Sequence, residues 1–419
     1  MTLAGDSARG NFRWGERSPY LVNGERNRSM GDLDMDLEKW VVGLRREFHM
    51  YPELSGQEIR TTGRVLEILE DLGVEARAME GMTGAVGLIK GCQGGFTLAL
   101  RADMDGLPIQ EMNQTDYRSR TPGVMHACGH DAHTAVLLGV ARAVVESPWA
   151  GSMKGNLLLV FQPSEERVSG AREMISRGVL EKPRVDWVMA AHVVPDLEAG
   201  TVGLFRGASH ASADSFSLFI RGKGTHGGRP NEGVDPILAG AHFVTGVQSI
   251  VSRNVKPTEP AVVTVGKFHA GSVGNVIPET AQLEGTVRAL SQETRSQIME
   301  RLEQLRGGMD RSFGVQSSLE FQEGVPVCMN NPEVSGFLYK VALDLLGPER
   351  VLYLQPAMGA EDFALFARER PGAIFRLGCG KGETDSYAPL HSPYFDLDES
   401  CLMVGVRVFT EAAKRLLAS

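Results

Sequence analysis

The order of helical and extended segments predicts an α/β protein with a mixed central sheet, interrupted by an inserted α+β domain of the ferredoxin-like type. Up to about residue 206 and again from about residue 325, segments with apolar residues every three or four positions alternate with short apolar runs. Over residues 207–324 the order becomes β-α-β-β-α-β, that of a split βαβ unit, in a stretch of ordinary domain length. A further observation is chemical. Three successive strands of the first part end in acids or histidine, and in open α/β sheets the ligand crevice lies beyond the carboxyl ends of the strands.

Residues 37–50 and 58–72 have helical apolar spacing, and 96–102 is a short apolar strand that ends at Asp103 and Asp105. Residues 134–145, rich in Ala, Val and Leu, read as a helix starting directly after a cluster of histidines. Residues 156–162 form a strand that runs into Pro163-Ser164-Glu165-Glu166, and 186–191 a strand that ends in His192. In the inserted domain, 215–221, 261–269, 281–290 and 315–322 read as strands, with helices at 236–252 and 294–306. The α/β pattern then resumes with helices at 334–346, 360–368 and 399–417 and a strand at 373–377. The domain reading is thus a leader over 1–36, a first domain made of 37–206 and 325–419, and the insertion at 207–324.

The chain has 419 residues, 42% hydrophobic and 23% charged, which is globular composition sufficient for two or three domains. A net charge of -9 argues against a nucleic-acid surface or a basic membrane-docking face, leaving small molecules as partners. Five scattered cysteines, Cys92, Cys128, Cys328, Cys379 and Cys401, suit reduced thiols in the cytoplasm better than a disulfide framework. No apolar run reaches the roughly 18 residues of a membrane span. The first 29 residues are polar, without the apolar stretch of a secretory signal, and read as a flexible leader; Met30 is an alternative start.

Met125-His-Ala-Cys-Gly-His-Asp-Ala-His133 packs three imidazoles, a thiol and a carboxylate into nine residues. It reads as part of a metal site rather than a polar loop. Cys128 and His130 are two apart, so an extended segment would point both to one side. A two-metal hydrolytic site needs about three ligands per ion, some shared, and a general base that is not itself a ligand. Cys128, His130, Glu166, His192 and His391 are of the right type for the ligands, and Glu165 is an adjacent carboxylate. Neighbouring residues at a strand end point in different directions, so Glu166 can bind metal while Glu165 faces water. Other chemistries for the same residues are a Cys128 nucleophile with a histidine base, and a metal-stabilised binding protein without turnover.

Several motifs in order carry a family resemblance: Arg101-Ala-Asp-Met-Asp-Gly-Leu-Pro108, the 125–133 cluster, Phe161-Gln-Pro-Ser-Glu-Glu166, Ala191-His192, Gly222-Lys-Gly-Thr-His-Gly-Gly-Arg-Pro230, Gly274-Asn-Val-Ile-Pro278, Gly359-Ala-Glu-Asp-Phe363 and His391-Ser-Pro393. From about Leu37 to the C-terminus the chain resembles the M20 metallopeptidases, within them the amidohydrolase branch of hippurate hydrolases, N-acyl-amino-acid deacylases and auxin-conjugate hydrolases. The resemblance implies a zinc-peptidase-like catalytic domain and a lid and dimerisation domain in the insertion, hence a homodimer or higher homo-oligomer. It implies two divalent ions per chain, Mn, Zn, Co or Ni, on Cys128, His130, Glu166, His192 and His391, with Glu165 as general base. Asp103 and Asp131 match acids that orient ligand histidines. His226 matches a histidine that reaches the partner's site to stabilise an oxyanion, and Asn275 and Arg288 match substrate-binding positions. The cysteine ligand points away from the carboxypeptidase branches. The implied reaction is hydrolysis of an N-acyl amino acid, of acetyl, benzoyl or aryl-acetyl type. The alternative is a dipeptidase or N-acetyl-diaminopimelate deacetylase using the same site. One departure is Arg167-Val168-Ser169-Gly170 where the branch commonly runs through several glycines; it would reshape the acyl pocket.

Overall fold

The structure, a computed structural model, describes residues 30–382 and 388–418, with side chains from Asp34 onward. It divides into two compact units: the first holds the described residues up to Leu204, Asn331–Leu354 and those from Phe366 on; the second holds Phe205–Asn330 and Gln355–Leu365. The second unit is thus wider than the 207–324 span read from the sequence. Ala211 N donates to Ala357 O at 3.0 Å and to Gly359 O at 3.1 Å, tying the distant segment Gln355–Leu365 to it.

The chain starts with α1 (Met30–Met50), α2 (Ile59–Asp71), β1 (Glu75–Ala78), β2 (Ala85–Lys90), β3 (Gln93–Asp103), α3 (His130–Val145), β4 (Lys154–Gln162), α4 (Gly170–Ser176), β5 (Trp187–Glu198) and β6 (Val202–Leu204). It continues through β7 (Ala208–His210), β8 (Ala213–Arg221), β9 (Thr225–His226), α5 (Pro236–Asn254), β10 (Ala261–Ala270), β11 (Val276–Ile277), β12 (Thr280–Ala289), α6 (Gln292–Phe313), β13 (Gln316–Val325) and β14 (Cys328–Met329). Last come α7 (Pro332–Leu346), β15 (Val351–Tyr353), α8 (Phe363–Glu369), β16 (Gly372–Gly380) and α9 (Ser400–Leu417). Of the expected leader, residues 1–29 lie outside the described residues, and 30–36 are helical rather than loose, opening α1.

The first unit is built on an eight-stranded sheet in the order β1-β2-β4-β3-β5-β16-β6-β15. The strands β4, β3, β5 and β16 run parallel to their neighbours in this series, while β1 and β2 are antiparallel, so the sheet is mixed. Residues Leu157–Phe161 of β4 and Leu98–Leu100 of β3 are almost fully buried on both faces, the pattern of a parallel sheet covered on both sides. That is why they read as continuous apolar runs. Helix α3 packs against α1 and α9, and is buried except at Arg142, Ala143 and Val145. Gly139 permits this: a Cβ there would lie 2.7 Å from Val406 Cγ2 and 2.8 Å from Val41 Cγ2.

In the second unit, β10-β12-β8-β13 form a wholly antiparallel sheet. With β8, β10, β12 and β13 as the first to fourth strands of the split unit, this is the ferredoxin-like arrangement. One face of β8, with Phe216, Leu218 and Ile220, is buried with Phe243 of α5 and Leu302 of α6, and alternate residues are exposed. Helix starts follow local chemistry: the Asp235 side chain accepts from Ile237 N and Leu238 N with Pro236 in the first turn, and Ser291 accepts from Thr294 N.

Two expected boundaries move. Helix α3 begins at His130 rather than Thr134, so part of the histidine cluster is helical. Strand β5 does not end before His192 but runs to Glu198, because β16 pairs alongside it from Gly372↔Val188 to Gly380↔Glu198. The short strands β1, β6 and β15 escape the sequence reading: three or four residues are too few to show a period.

Candidate metal centre

The three adjacent parallel strands β4, β3 and β5 bring their chemistry together in the first unit. Asp103 ends β3 and Asp105 follows it, beyond β4 comes the turn that carries Glu165 and Glu166, and within β5 lies His192. The loop before α3 supplies Cys128. Between Cys128 and His130 the backbone is not extended, as the two-residue spacing suggested: Gly129 has φ 81°, and a Cβ on it would lie 2.3 Å from Val193 Cγ2. This left-handed turn lets His130 open α3 while Cys128 stays in the loop.

Cys128 Sγ lies 3.4 Å from His192 Nε2 and 3.4 Å from His391 Nε2. Glu166 Oε1 is 3.5 Å from His391 Nε2 and 3.9 Å from His130 Nε2. Three sets of donors each gather within 4.8 Å: Cys128, His130 and His192; Cys128, Glu166 and His391; His130, Glu165 and Glu166. All five residues read as ligands are therefore together, with Glu165 beside them. His391 is the outermost, its side chain 54% exposed; it sits at φ 65° and its N donates to Ala127 O at 2.8 Å.

Hydrogen bonds assign the histidine tautomers. His192 Nδ1 donates to Val193 O at 2.7 Å, which leaves the Nε2 lone pair directed to Cys128. His130 Nδ1 donates to Asp105 Oδ1 at 3.1 Å, and among the described residues neither its buried Nε2 nor buried Glu166 Oε1 makes a hydrogen bond. These two buried acceptors lie 3.9 Å apart, an arrangement that a cation between them would relieve, so this donor set of thiol, imidazole and carboxylate fits divalent ions. His133, the last imidazole of the cluster, is occupied at both nitrogens: Nδ1 donates to Asp103 Oδ1 at 2.5 Å and Nε2 accepts Val193 N at 2.9 Å. His126 is buried with neither nitrogen hydrogen-bonded among the described residues, and burial lowers its pKa to about 4, so it is neutral.

The acids divide differently from the expectation. Asp105 holds two of the gathered residues at once, accepting from His130 Nδ1 with Oδ1 and from Glu166 N with Oδ2 at 3.1 Å, while Ser55 Oγ donates to Oδ2 at 2.7 Å. Asp103 instead bonds His133 and Arg101 Nη1, the latter at 2.7 Å, and lies 3.7 Å from His130 Nε2. Asp131 orients none of the gathered histidines: its Oδ2 meets His49 Nδ1 at 2.7 Å and Arg45 Nε at 2.9 Å, because as the second residue of α3 it points toward α1. Asp105 was missed as a site residue although it stands two positions after Asp103, where only the chain's course beyond β3 decides which acid faces the ligand.

Charges follow this layout. Burial alone would raise Asp103 and Asp105, but for Asp103 the neighbouring His130, His133 and Arg101, and for Asp105 the bond from His130, hold them low. Burial lowers His192, with Arg376 on the next strand adding to it, which keeps its ring neutral and able to ligate. Burial pushes the Cys128 thiol up, and a divalent cation is the charge that would favour its thiolate.

His226, Asn275 and Arg288 lie in the second unit. His226 is exposed on β9, paired with Val276 of β11, and its Nδ1 accepts Gly228 N at 3.0 Å. Asn275 is close by, its O accepting Gly227 N at 2.8 Å. Arg288 stands on β12 opposite Val262, with Nη1 buried and unpartnered among the described residues.

The sequence model of Peptidase family M20/M25/M40 matches residues 99–415. N-acetyl-L-cysteine deacetylase of Bacillus subtilis is 38% identical over 387 residues, 91% of this chain and 89% of that protein. Thermostable carboxypeptidase 1 of Saccharolobus solfataricus is 36% identical over 374 residues, covering 88% of this chain and 93% of its own length. Among solved structures, the Bacillus subtilis YXEP protein, described as a dinuclear metal binding peptidase from the M20 family, superposes with a TM-score of 0.80 at 33% identity, over 91% of this chain and 99% of that one.

Proposed function

Since this chain belongs to Peptidase family M20/M25/M40, we propose that it is a metal-dependent amidohydrolase that cleaves N-acyl amino acids to a carboxylic acid and a free amino acid. The observation that carries the reading is the pair of buried acceptors, His130 Nε2 and Glu166 Oε1, 3.9 Å apart amid Cys128, His192 and His391. These five residues would hold two divalent ions, which when bound supply Lewis-acid polarisation of the amide carbonyl and acidify the attacking water. Glu165 takes the proton from that water as its oxygen bonds to the carbonyl carbon, then delivers it to the amide nitrogen as the C–N bond breaks. Asp105 fixes the His130 ring and the Glu166 backbone throughout. His226 donates to the developing oxyanion, and Asn275 and Arg288 hold the amide and carboxylate of the amino-acid part.

A soft thiolate favours Zn, Co or Ni, and Mn stands beside them by family resemblance. The carboxypeptidase among the relatives favours a second reading, cleavage of the terminal residue from a short peptide by the same machinery. Acetyl-, benzoyl- and indole-acetyl-amino acids and dipeptides are to be assayed with Mn, Zn, Co and Ni, before and after chelation. Turnover of N-acyl amino acids that disappears on chelation and returns with metal is expected. Activity that survives thorough chelation would instead indicate Cys128 as a nucleophile.

The chain is further proposed to act as a dimer in the cytoplasm. Its cysteines are unpaired, and no described helix is long and apolar enough to cross a membrane. The edge strand β10 with exposed Val262 and Phe268, and Ile237 and Leu238 at the start of α5, supports pairing of second units. If His226 serves the partner's site, mixing Glu165→Gln with His226→Ala subunits should restore partial activity; mixed dimers, verified by two tags, that stay inactive would refute the exchange.

A further inference from the structure

Glu58, just before α2, is fully buried and has no part in the chemistry above. Its Oε1 accepts Ser164 N at 2.9 Å and its Oε2 accepts Thr83 Oγ1 at 2.6 Å. Its own carbonyl accepts Thr62 N at 3.0 Å and Thr62 Oγ1 at 2.6 Å, which anchors it to α2. Burial raises its carboxyl pKa, and the bonds from Thr83 and from the backbone, that of Ser164 among them, offset only part of that rise.

What it grips is unusual. Ser164 has φ 55°, a left-handed conformation that is unfavourable for a non-glycine residue and persists only where the surroundings offset its cost. The next residue but three, Val168, has φ 57°, and its N donates to Glu165 O at 2.7 Å. Glu165 therefore lies in a doubly turned segment. The backbone N–H before it is held by Glu58 and the backbone N–H after it by Asp105. Two buried carboxylates from different parts of the chain thus hold the backbone N–H of the residue before and of the residue after Glu165.

We propose that Glu58 is a positioning residue for hydrolysis: by holding Ser164 N it selects the left-handed turn from which the Glu165 side chain is aimed, while Asp105 separately sets Glu166. The proposal rests on Glu165 as the proton acceptor. A misplacement of about 1 Å at a catalytic group can cost about 10²-fold in rate.

The test compares Glu58→Gln, Glu58→Asp and Glu58→Ala in the metal-loaded full chain. Glutamine keeps an oxygen for Ser164 N, and the Thr83 hydroxyl can rotate to accept from its amide; aspartate keeps the charge but is one methylene too short. Glu58→Asp and Glu58→Ala are expected to lose about 10- to 100-fold in kcat with KM changed less than about threefold and metal content kept, whereas Glu58→Gln stays within about threefold of the parent. Folding is checked by circular dichroism and thermal midpoint, and if Glu58→Ala does not fold, the aspartate–glutamine contrast decides. Parental kcat in folded Glu58→Asp, equal loss in Glu58→Gln, or loss of metal in step with kcat would each overturn the proposal. Glu165→Gln run alongside separates the two readings: if it is severely slowed while Glu58→Asp is not, only the role of Glu58 fails, and if it turns over normally both fail.

Discussion

Glu165→Gln should lower turnover by about 10²-fold or more and leave the metal content near that of the parent, while Glu166→Gln should lose metal. The two residues are neighbours, yet their surroundings differ. Glu166 Oε1 faces the Nε2 atoms of His130 and His391 and makes no hydrogen bond among the described residues, the position of a ligand. Glu165 is buried with only 8% of its surface exposed and gathers with His130 and Glu166. Glutamine preserves its shape but cannot accept the proton, so binding survives and the chemical step does not. Metal analysis beside kcat measures both halves, and the reverse pattern would exchange the roles of the two glutamates.

Removal of Arg45 is expected to have the largest effect on stability. Its guanidinium is fully buried, with Nε 2.9 Å from Asp131 Oδ2, Nη2 3.3 Å from Asp396 Oδ1 and Nη1 3.4 Å from Glu399 Oε1. Arg45→Ala leaves the buried Asp131 carboxylate with His49 alone, and breaking such a pair typically costs about 3–5 kcal/mol. The pH dependence has two limbs. Burial would raise Asp131, but Arg45 and His49 overcome it and hold the carboxyl well below the usual range. A depressed folded-state pKa contributes stability that is present above the unfolded value of about 4 and lost as pH falls through the folded one. His49 runs the other way: burial and Arg45 lower it, Asp131 and Glu111 raise it more, and the net is a raised pKa. Its contribution is complete below about pH 6.5 and fades as pH climbs through the folded value. Guanidinium midpoints from acid to mildly alkaline pH measure both limbs. A loss below about 1 kcal/mol for Arg45→Ala would show that the network relaxes or admits water rather than stranding a charge.

The architecture was legible where burial writes itself into composition. The apolar runs of β3 and β4 are continuous because helices cover both faces, and the split unit announces itself through the alternation in β8. The gathered residues were legible because thiols, imidazoles and paired carboxylates are rarely placed together by packing alone. What the sequence could not convey was direction. Asp103, Asp105 and Asp131 are chemically alike, and their partners depend on the turn after β3 and on the rotation of α3. The same holds for Gly129: spacing suggested an extended dipeptide, whereas the chain makes a left-handed turn there, and Val193, 64 positions away, leaves no room for a side chain. Glu58 was invisible for a similar reason, since nothing local links it to Ser164, 106 positions along the chain.

A helix with almost no solvent face, such as α3 with Gly139 pressed between Val41 and Val406, has few positions at which substitution is neutral. His130 opens that helix, so this part of the centre is inherited from the most constrained element of the unit. The exposed side chain of Arg167, by contrast, can vary while the backbone turn that carries it is held by Glu58 and Asp105. Lineages descending from such a protein can drift in what they accept while the scaffold behind His130 stays unchanged, which lets a single ancestor diversify by altering its rim.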